Sequence, residues 1–419
     1  MKSRPLLIGL DRHLLAACAR RGLEPVVMCT HGTRDFGFPE APTDTYLVDS
    51  PIKLEQALGA VEQICASGVR ISAVLTTSED AVVTAATLNL LLGLNGPNPS
   101  DVAKFRDKLV QKHLVRGVGV PAADIAAIHD VRDGLPDLQM PVVVKPRFGA
   151  GTSLTALVTS IDDFEQFKAA LPGNAPRSFV AESVAVGDEY ILDGVIHQGR
   201  IVFASVARYV SAPLDVVTTG NPCCIVSAEE HTAVAQRIRA LGEVAIAALG
   251  APDGVFHLEA FDDGKRAQFS ECALRRGGGM QQELVLAKHG VDLADAALAI
   301  ALGEPLDIVP RPSGDVIASI AIPKADGTIL ALPDAEDIMR QTGVIDAVVE
   351  LPVGTQMRAR QASTVERLGQ ILAQGDTEEQ ALSRVREAQR FASDQVVAVP
   401  AGPLRVLRRR GPDGVRRAD

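Results

Sequence analysis

The chain has 419 residues, 47% of them hydrophobic and 22% charged. That balance excludes global disorder, and the length suits two to four domains at ~150 residues each. A net charge of −10 argues against nucleic-acid binding over the whole surface, and 4% aromatic residues with no Trp leave few stacking platforms.

Taken from the start, Met1 to Arg4 is basic, but the apolar run Pro5 to Leu10 stops at Asp11, too soon for a signal-peptide core. That run reads as a strand, Asp11 to Arg21 as a helix closed by Gly22, and Glu24 to Cys29 as a second strand. Lys53 to Ala66 reads as a helix, Ile71 to Thr76 as a strand and Glu79 to Leu92 as a helix. Alternating short apolar strands and helices predict a parallel sheet covered on both faces, a Rossmann-like half-domain. No Gly-x-Gly-x-x-Gly follows the first strand, so it is not read as a dinucleotide site. Ala81 to Ser100 lacks charge but holds polar residues and two prolines, which a membrane span would not.

Beyond Pro121 the rhythm becomes α+β with antiparallel strands. Met140 to Lys145, Leu154 to Val158 and Ser178 to Val184 read as strands, with a helix from Ile161 to Leu171. Glu189 to Val210 reads as strand, turn, strand, with Asp193-Gly194 and Gln198-Gly199 as turn signals. Ser227 to Glu230 resembles a capping box opening a helix to Leu249. Val255 to Phe261 and Arg266 to Cys272 flank Asp262-Asp263-Gly264 as a hairpin, and Met280 to Leu302 reads as one helix. Strands Val316 to Ile322 and Ile345 to Leu351 and a helix Thr377 to Ala392 complete the pattern. The six arginines of Arg405 to Asp419 read as a solvated tail. Six cysteines with no Cys-x-x-Cys suit neither a disulfide scaffold nor a zinc site, and point to the cytoplasm. Cys223 and Cys224 read as small buried thiols.

Four segments carry possible chemistry. In Val142 to Ser153 a strand ends in Lys145, Pro146 keeps it extended, and Gly149, Gly151, Thr152 and Ser153 follow. Glycines admit backbone N–H groups close to a phosphate and lysine adds a compact charge, so this suits a flap over phosphates. It also suits a plain surface hairpin. In Glu182 to Glu189, a strand edge could read an adenine and Glu189 could accept from ribose hydroxyls, although acids near turns are common. Glu259 and Glu271 are hard oxygen ligands suited to magnesium. A three-residue loop at Asp262-Asp263-Gly264 puts them on one face but four positions out of step, roughly 13 Å at ~3.3 Å per residue. Arg275 and Arg276 precede Gly277, Gly278 and Gly279 and a helix, a candidate anion cradle or a simple linker. His257, on the same strand face as Glu259, reads as a satisfied structural histidine, and His13, His113 and His289 as surface or core-edge residues.

The order of these pieces resembles the ATP-grasp superfamily: Val-Val-Lys-Pro with a glycine flap, Glu182 with Glu189 seven residues on, two glutamates twelve apart, then Arg275. Ser78-Glu79 to Pro121, including Phe105 to Lys108 and Gly119 to Pro121, resembles that family's preceding region, and the likeness runs from about residue 5 to 395. The resemblance implies a Rossmann-like N-terminal domain over 1–110 and an ATP-grasp small lid lobe over 111–185. It implies a large antiparallel-sheet lobe with the metal site over 186–310 and an α+β extension packing on it over 311–419. Lys108, Lys145 and Ser153 would then contact ATP phosphates or the flap over them. Glu182 and the backbone of Ser183, Val184 and Ala185 would hold adenine, and Glu189 the ribose. Glu259 and Glu271 would bind Mg2+, or Mn2+ in its place. Arg275, with Gly278 and Gly279, would steady an acyl-phosphate. Many members read Glu-x-Asn-x-Arg, whereas here the Asn position is Ala273, a departure shared with members resembling L-amino-acid ligases.

The implied function is an ATP-dependent carboxylate–amine ligase acting on small molecules, amino acids or small peptides. Nucleic acid and membrane are not expected partners, and a homodimer is a family-level expectation. Substrate-contacting loops are expected to include Asp215 to Cys224. The alternatives are a purine-pathway or biotin carboxylase-like enzyme of the same fold, or a nucleotide-binding regulatory protein without turnover.

Overall fold

The computed structural model describes residues 3–32, 44–357 and 363–400. Strands β1 Ser3–Ile8, β2 Val26–Cys29, β3 Thr45–Leu47 and β4 Arg70–Thr76 form a parallel sheet in the order β3-β2-β1-β4. Leu6, Leu7 and Ile8 are all buried, because both faces of β1 are covered. On one face Leu6 and Ile8 pack with Ala57, Val61 and Ile64 of the helix Leu54–Ala66 and Leu88 of the helix Val82–Leu91. On the other, Leu7 meets Leu14 of the helix Arg12–Arg20 and, from far along the chain, Leu298 of the helix Leu293–Leu302.

Strands β5 Ile125–Ile128, β6 Val142–Pro146, β7 Ala156–Val158 and β8 Phe179–Ser183 form a small antiparallel sheet, closed on its apolar face by Phe164 of the helix Ile161–Ala170. A large antiparallel sheet takes β9 Asp188–His197, β10 Arg200–Tyr209, β11 Cys224–Ser227, β12 Gly254–Asp262, β13 Ala267–Ala273 and β14 Val316–Ile322. The strand β15 Gly327–Ala331 leaves it, β16 Val344–Val349 rejoins it, β17 Gln356–Met357 pairs with β15, β18 Gly369–Gly375 lies in the large sheet, and β19 Val397–Val399 pairs with β15. The large sheet runs β13-β12-β9-β10-β11-β14-β18-β16, so the strands after residue 311 lengthen it. The helix Ala233–Leu249 covers one stretch of it and the helix Glu378–Asp394 another.

Four local expectations need correction. Gln198-Gly199 is the β9–β10 turn, with both residues at positive φ, but Asp193-Gly194 lies inside β9. A Cβ on Gly194 would stand 2.4 Å from the Phe203 carbonyl oxygen and 2.7 Å from the Phe256 ring, so the glycine answers to packing. Ser227 ends β11 and its hydroxyl accepts from the Ile317 N–H at 2.9 Å; the cap of the following helix is Thr232, which accepts from the Ala235 N–H. Met280 to Leu302 is two helices, Gln281–His289 and Leu293–Leu302, parted by Gly290 in the left-handed region and capped anew by Asp292. His289 is not at a core edge: it is 2% exposed, with Nε2 2.9 Å from Ser205 Oγ. The arginine-rich stretch Arg405 to Asp419 lies outside the described residues.

Candidate active site

The helix Lys108–Gly117 sits where the small and large sheets meet. Asp107 caps it, accepting from the Leu109 and Val110 N–H groups, while Arg147 Nε donates to the same carboxylate at 2.8 Å. Gln111 pins the helix to β13, donating to the Cys272 carbonyl at 3.0 Å and accepting from its N–H at 2.8 Å. These ties direct three lysines at two glutamates. Lys108 Nζ lies 3.2 Å from Glu271 Oε2 and also donates to the Gly149 carbonyl of the flap at 2.6 Å. Lys145 Nζ, at the end of β6, lies 3.1 Å from Glu182 Oε2 and 3.6 Å from Glu271 Oε2. Lys112 Nζ lies 2.5 Å from Glu182 Oε2 and is 1% exposed.

Burial and charge oppose each other in this cluster. Burial pushes Lys112 down to about 8 despite the attraction of Glu182. Burial also works against the Lys145 charge, but Glu182 and Glu271 together hold its proton more tightly than usual. Burial would raise Glu182 and Glu271; the lysines outweigh it, so both stay ionised below the ordinary carboxylate range. Glu189 goes the other way, raised well above that range by burial and by the nearby Glu259. A site with lysines already gathered and desolvated is prepared for a polyanion.

Glu259 on β12 and Glu271 on β13 are direct cross-strand partners. The expected four-position offset is wrong. Asp262 pairs with Ala267, so the connection is the four residues Asp263 to Arg266, and a bulge follows Glu259. Directly opposed residues have Cα atoms about 4.5–5.5 Å apart, close enough for both carboxylates to reach one ion. Among the described residues no three of His, Cys, Asp and Glu are grouped to hold an ion unaided. The pair therefore fits magnesium together with phosphate oxygens, in keeping with the few protein ligands magnesium takes at nucleotide sites.

Two adjoining cavities, of about 120 and 810 Å3, share Lys108, Ser153, Glu259 and Glu271 in their walls. The smaller adds Lys145, Glu182, Ser183, Ala185 and Glu189; Val184 is 40% exposed and does not line it. The larger adds Arg275 with Gly278 and Gly279. Of the segment Asp215 to Cys224, only Cys223 reaches it. Arg275 is ion-paired with Glu79, and Arg106 Nη1 donates to the same carboxylate at 2.6 Å. Arg276 is ion-paired with Asp11. Both arginines are thus tethered to the first parallel sheet's loops, which form one wall of the cavity. The flap is held in turn by Ser363 and Thr364, whose Oγ and Oγ1 donate to the Gly151 carbonyl at 2.9 and 3.0 Å.

Sequence reading missed Lys112, Asp193 and Tyr209, whose hydroxyl donates to Glu259 Oε1 at 3.1 Å. Lys112 carried a signal, one helical turn after Lys108, but that spacing also describes a solvated face. Asp193 and Tyr209 carried none, because their importance depends on which strands become neighbours.

Residues 319–391 match the family model described as L-amino acid ligase C-terminal domain 2. The chain is 23% identical over 301 residues to an L-arginine-specific L-amino acid ligase of Bacillus subtilis, covering 70% of this chain and 72% of that protein. Its fold is similar to the crystal structure of an L-amino acid ligase from Bacillus licheniformis, with a TM-score of 0.77 and 19% identity, over 96% of this chain and 99% of that one. It is also similar to a carboxyaminoimidazole ribonucleotide synthase from Aspergillus clavatus complexed with ATP, with a TM-score of 0.70 and 17% identity, over 93% and 99% of the two chains. Together with the lysine–glutamate cluster, these matches support an ATP-grasp carboxylate–amine ligase.

Proposed function

We propose that this enzyme joins the carboxyl group of one amino acid or small peptide to the amine of another through an acyl-phosphate, converting ATP to ADP and phosphate. The observation that carries the reading is the convergence of Lys108, Lys145, Glu259, Glu271 and Arg275 on adjoining cavities. Lys108 and Lys145 would hold the phosphates under the flap residue Ser153. Glu182, with the backbone of Ser183 and Ala185, would border the adenine, and Glu189 the ribose. Magnesium, when held by Glu259 and Glu271 with the nucleotide, supplies neutralisation of phosphate charge.

A carboxylate is a poor acyl donor; one of its oxygens attacks the γ-phosphorus, ADP leaves, and the product carries a good leaving group. The amine then attacks the carbonyl carbon and phosphate departs. Neither step needs an enzyme nucleophile, so positioning and charge stabilisation carry the catalysis. Arg275, with Gly278 and Gly279, stands where it would meet charge developing on the acyl centre. The purine-pathway and biotin carboxylase-like alternatives share the fold, and the family match over 319–391 favours amino acids over them. The assembled lysine and glutamate set disfavours a regulatory protein without turnover.

In this reading the first parallel sheet is the Rossmann-like domain of 1–110, the small sheet the lid lobe of 111–185, and the large sheet the lobe of 186–310 with its extension over 311–419. Six free cysteines suit a cytoplasmic enzyme, and no helix among the described residues is long and apolar enough to cross a membrane. A homodimer belongs to the same reading, and light scattering checks it. The mechanism is tested with a carboxylate substrate labelled with 18O. One labelled oxygen should appear in each phosphate released; unlabelled phosphate formed alongside the amide would contradict the acyl-phosphate.

A further inference from the structure

Ala273 stands where the Glu-x-Asn-x-Arg pattern carries Asn, and its direct cross-strand partner is His257. Glu259 and Glu271 form the neighbouring pair on the same two strands. Directly opposed residues of an antiparallel ladder share a face, as do residues two apart. His257, Glu259, Glu271 and Ala273 thus form one four-cornered patch, and all four line the 810 Å3 cavity. The imidazole fills the corner beside Ala273. Its Nδ1 lies 2.7 Å from Asp193 Oδ1 on the next strand, and its Nε2 lies 3.3 Å from Glu259 Oε1. Tyr209, one strand further, donates its hydroxyl to that same Glu259 oxygen at 3.1 Å.

The surrounding chain is cut to admit this ring. A Cβ on Gly277 would stand 2.6 Å from Gln281 Cγ and 2.9 Å from His257 Nδ1, so the first glycine of the loop after Arg276 leaves room for both side chains. Asp193 is 1% exposed, fixed within β9. One oxygen of Glu259 is therefore gripped by two side chains whose own positions are set by the sheet. A carboxylate held in this way cannot swing, and the oxygen left over is presented in one direction.

We infer that Asp193, His257 and Tyr209 are positioning residues that brace Glu259 for the nucleotide-bound cation, and that this brace compensates for the ligand lost at Ala273. The inference rests on the nucleotide-site reading above. It assigns His257 a role that neither the loss of the Asn ligand nor a merely structural histidine would suggest. Partners of this kind change metal affinity by about 10–100-fold when removed.

The test is Mn2+ binding to the full chain, followed by the electron paramagnetic resonance signal of free Mn2+ in the presence of a non-hydrolysable ATP analogue. His257→Ala should weaken Mn2+ binding by about 10–100-fold. Analogue affinity measured without metal should change by less than about threefold, since a brace on Glu259 touches no phosphate-binding lysine. Tyr209→Phe, which removes one hydroxyl and keeps the ring, should weaken Mn2+ binding by a few-fold. Adding Ala273→Asn to His257→Ala should recover most of the loss, an outcome a structural histidine does not predict. Wild-type binding that neither His257→Ala nor Tyr209→Phe weakens would overturn the brace alone. A wild-type chain that binds the analogue but no Mn2+ would overturn the metal-site reading, and the brace with it.

Discussion

Lys112 is the buried charge whose removal tests the electrostatics of the cluster most sharply. Replacing it with methionine keeps the length of the side chain and deletes the cation 2.5 Å from Glu182 Oε2. Breaking a buried ion pair by removing one partner costs about 3–5 kcal/mol when the survivor is left alone. Glu182 is not left alone: Lys145 remains 3.1 Å from the same oxygen. Burial also disfavours the Lys112 charge enough to push its pKa down to about 8, so part of its own cost disappears with it. About half the full penalty is then expected, roughly 2 kcal/mol, or about 4–8 °C for a cooperative unit of 150–250 residues. The double variant Lys112→Met with Glu182→Gln removes both charges and should recover at least half of that loss. Differential scanning fluorimetry reads the melting temperatures, and calorimetric titration reads ATP affinity, expected to fall by less than about threefold in Lys112→Met. A variant that melts like the wild type but loses ATP affinity tenfold would show instead that Lys112 serves the phosphates and not Glu182.

Arg275→Ala should lower kcat by about 10²–10³ while ATP affinity changes only a few-fold, because its charge matters most as the acyl centre reacts; equal losses in both would place it on the nucleotide instead. Burial would raise Glu283, but its contacts with His13 and Arg12 bring it down to about 2. A depressed carboxyl contributes stability above its unfolded pKa of about 4.5 and loses it as pH falls towards 2, so the melting gap between wild type and Glu283→Gln should be full at pH 6 and mostly closed at pH 2.5. The double variant Ser363→Ala, Thr364→Ala removes two donors to the Gly151 carbonyl, each worth about 0.5–1.5 kcal/mol, and should speed ADP release and protease cleavage of the flap by roughly tenfold.

What was legible in the sequence followed local rules. The strand ending in Lys145, the glycine flap and the hairpin with two glutamates were readable because period, proline and glycine act over a few residues. The register of that hairpin was not. Asp262-Asp263-Gly264 has the composition of a three-residue loop, yet Asp263 Oδ1 accepts from both the Lys265 and Arg266 N–H groups at 2.8 Å and extends the turn. Asp262 is meanwhile kept in the strand by Arg237, whose Nε and Nη2 donate to it at 2.8 and 2.7 Å. Arg237 lies on a helix that no local pattern connects with the turn. The same limit hid Lys112, whose burial depends on Glu182 arriving from the small sheet, and made Asp193-Gly194 look like a turn when the Phe203 carbonyl and the Phe256 ring are what require the glycine.

The most direct measurement of the central claim is phosphate release from ATP by the purified enzyme with Mg2+ and a panel of amino-acid pairs. Phosphate and ADP should appear in one-to-one ratio with a new amide, formed only when a carboxyl donor and an amine donor are present together. Release driven by bicarbonate, or tight ATP binding with no phosphate from any pair, would contradict it.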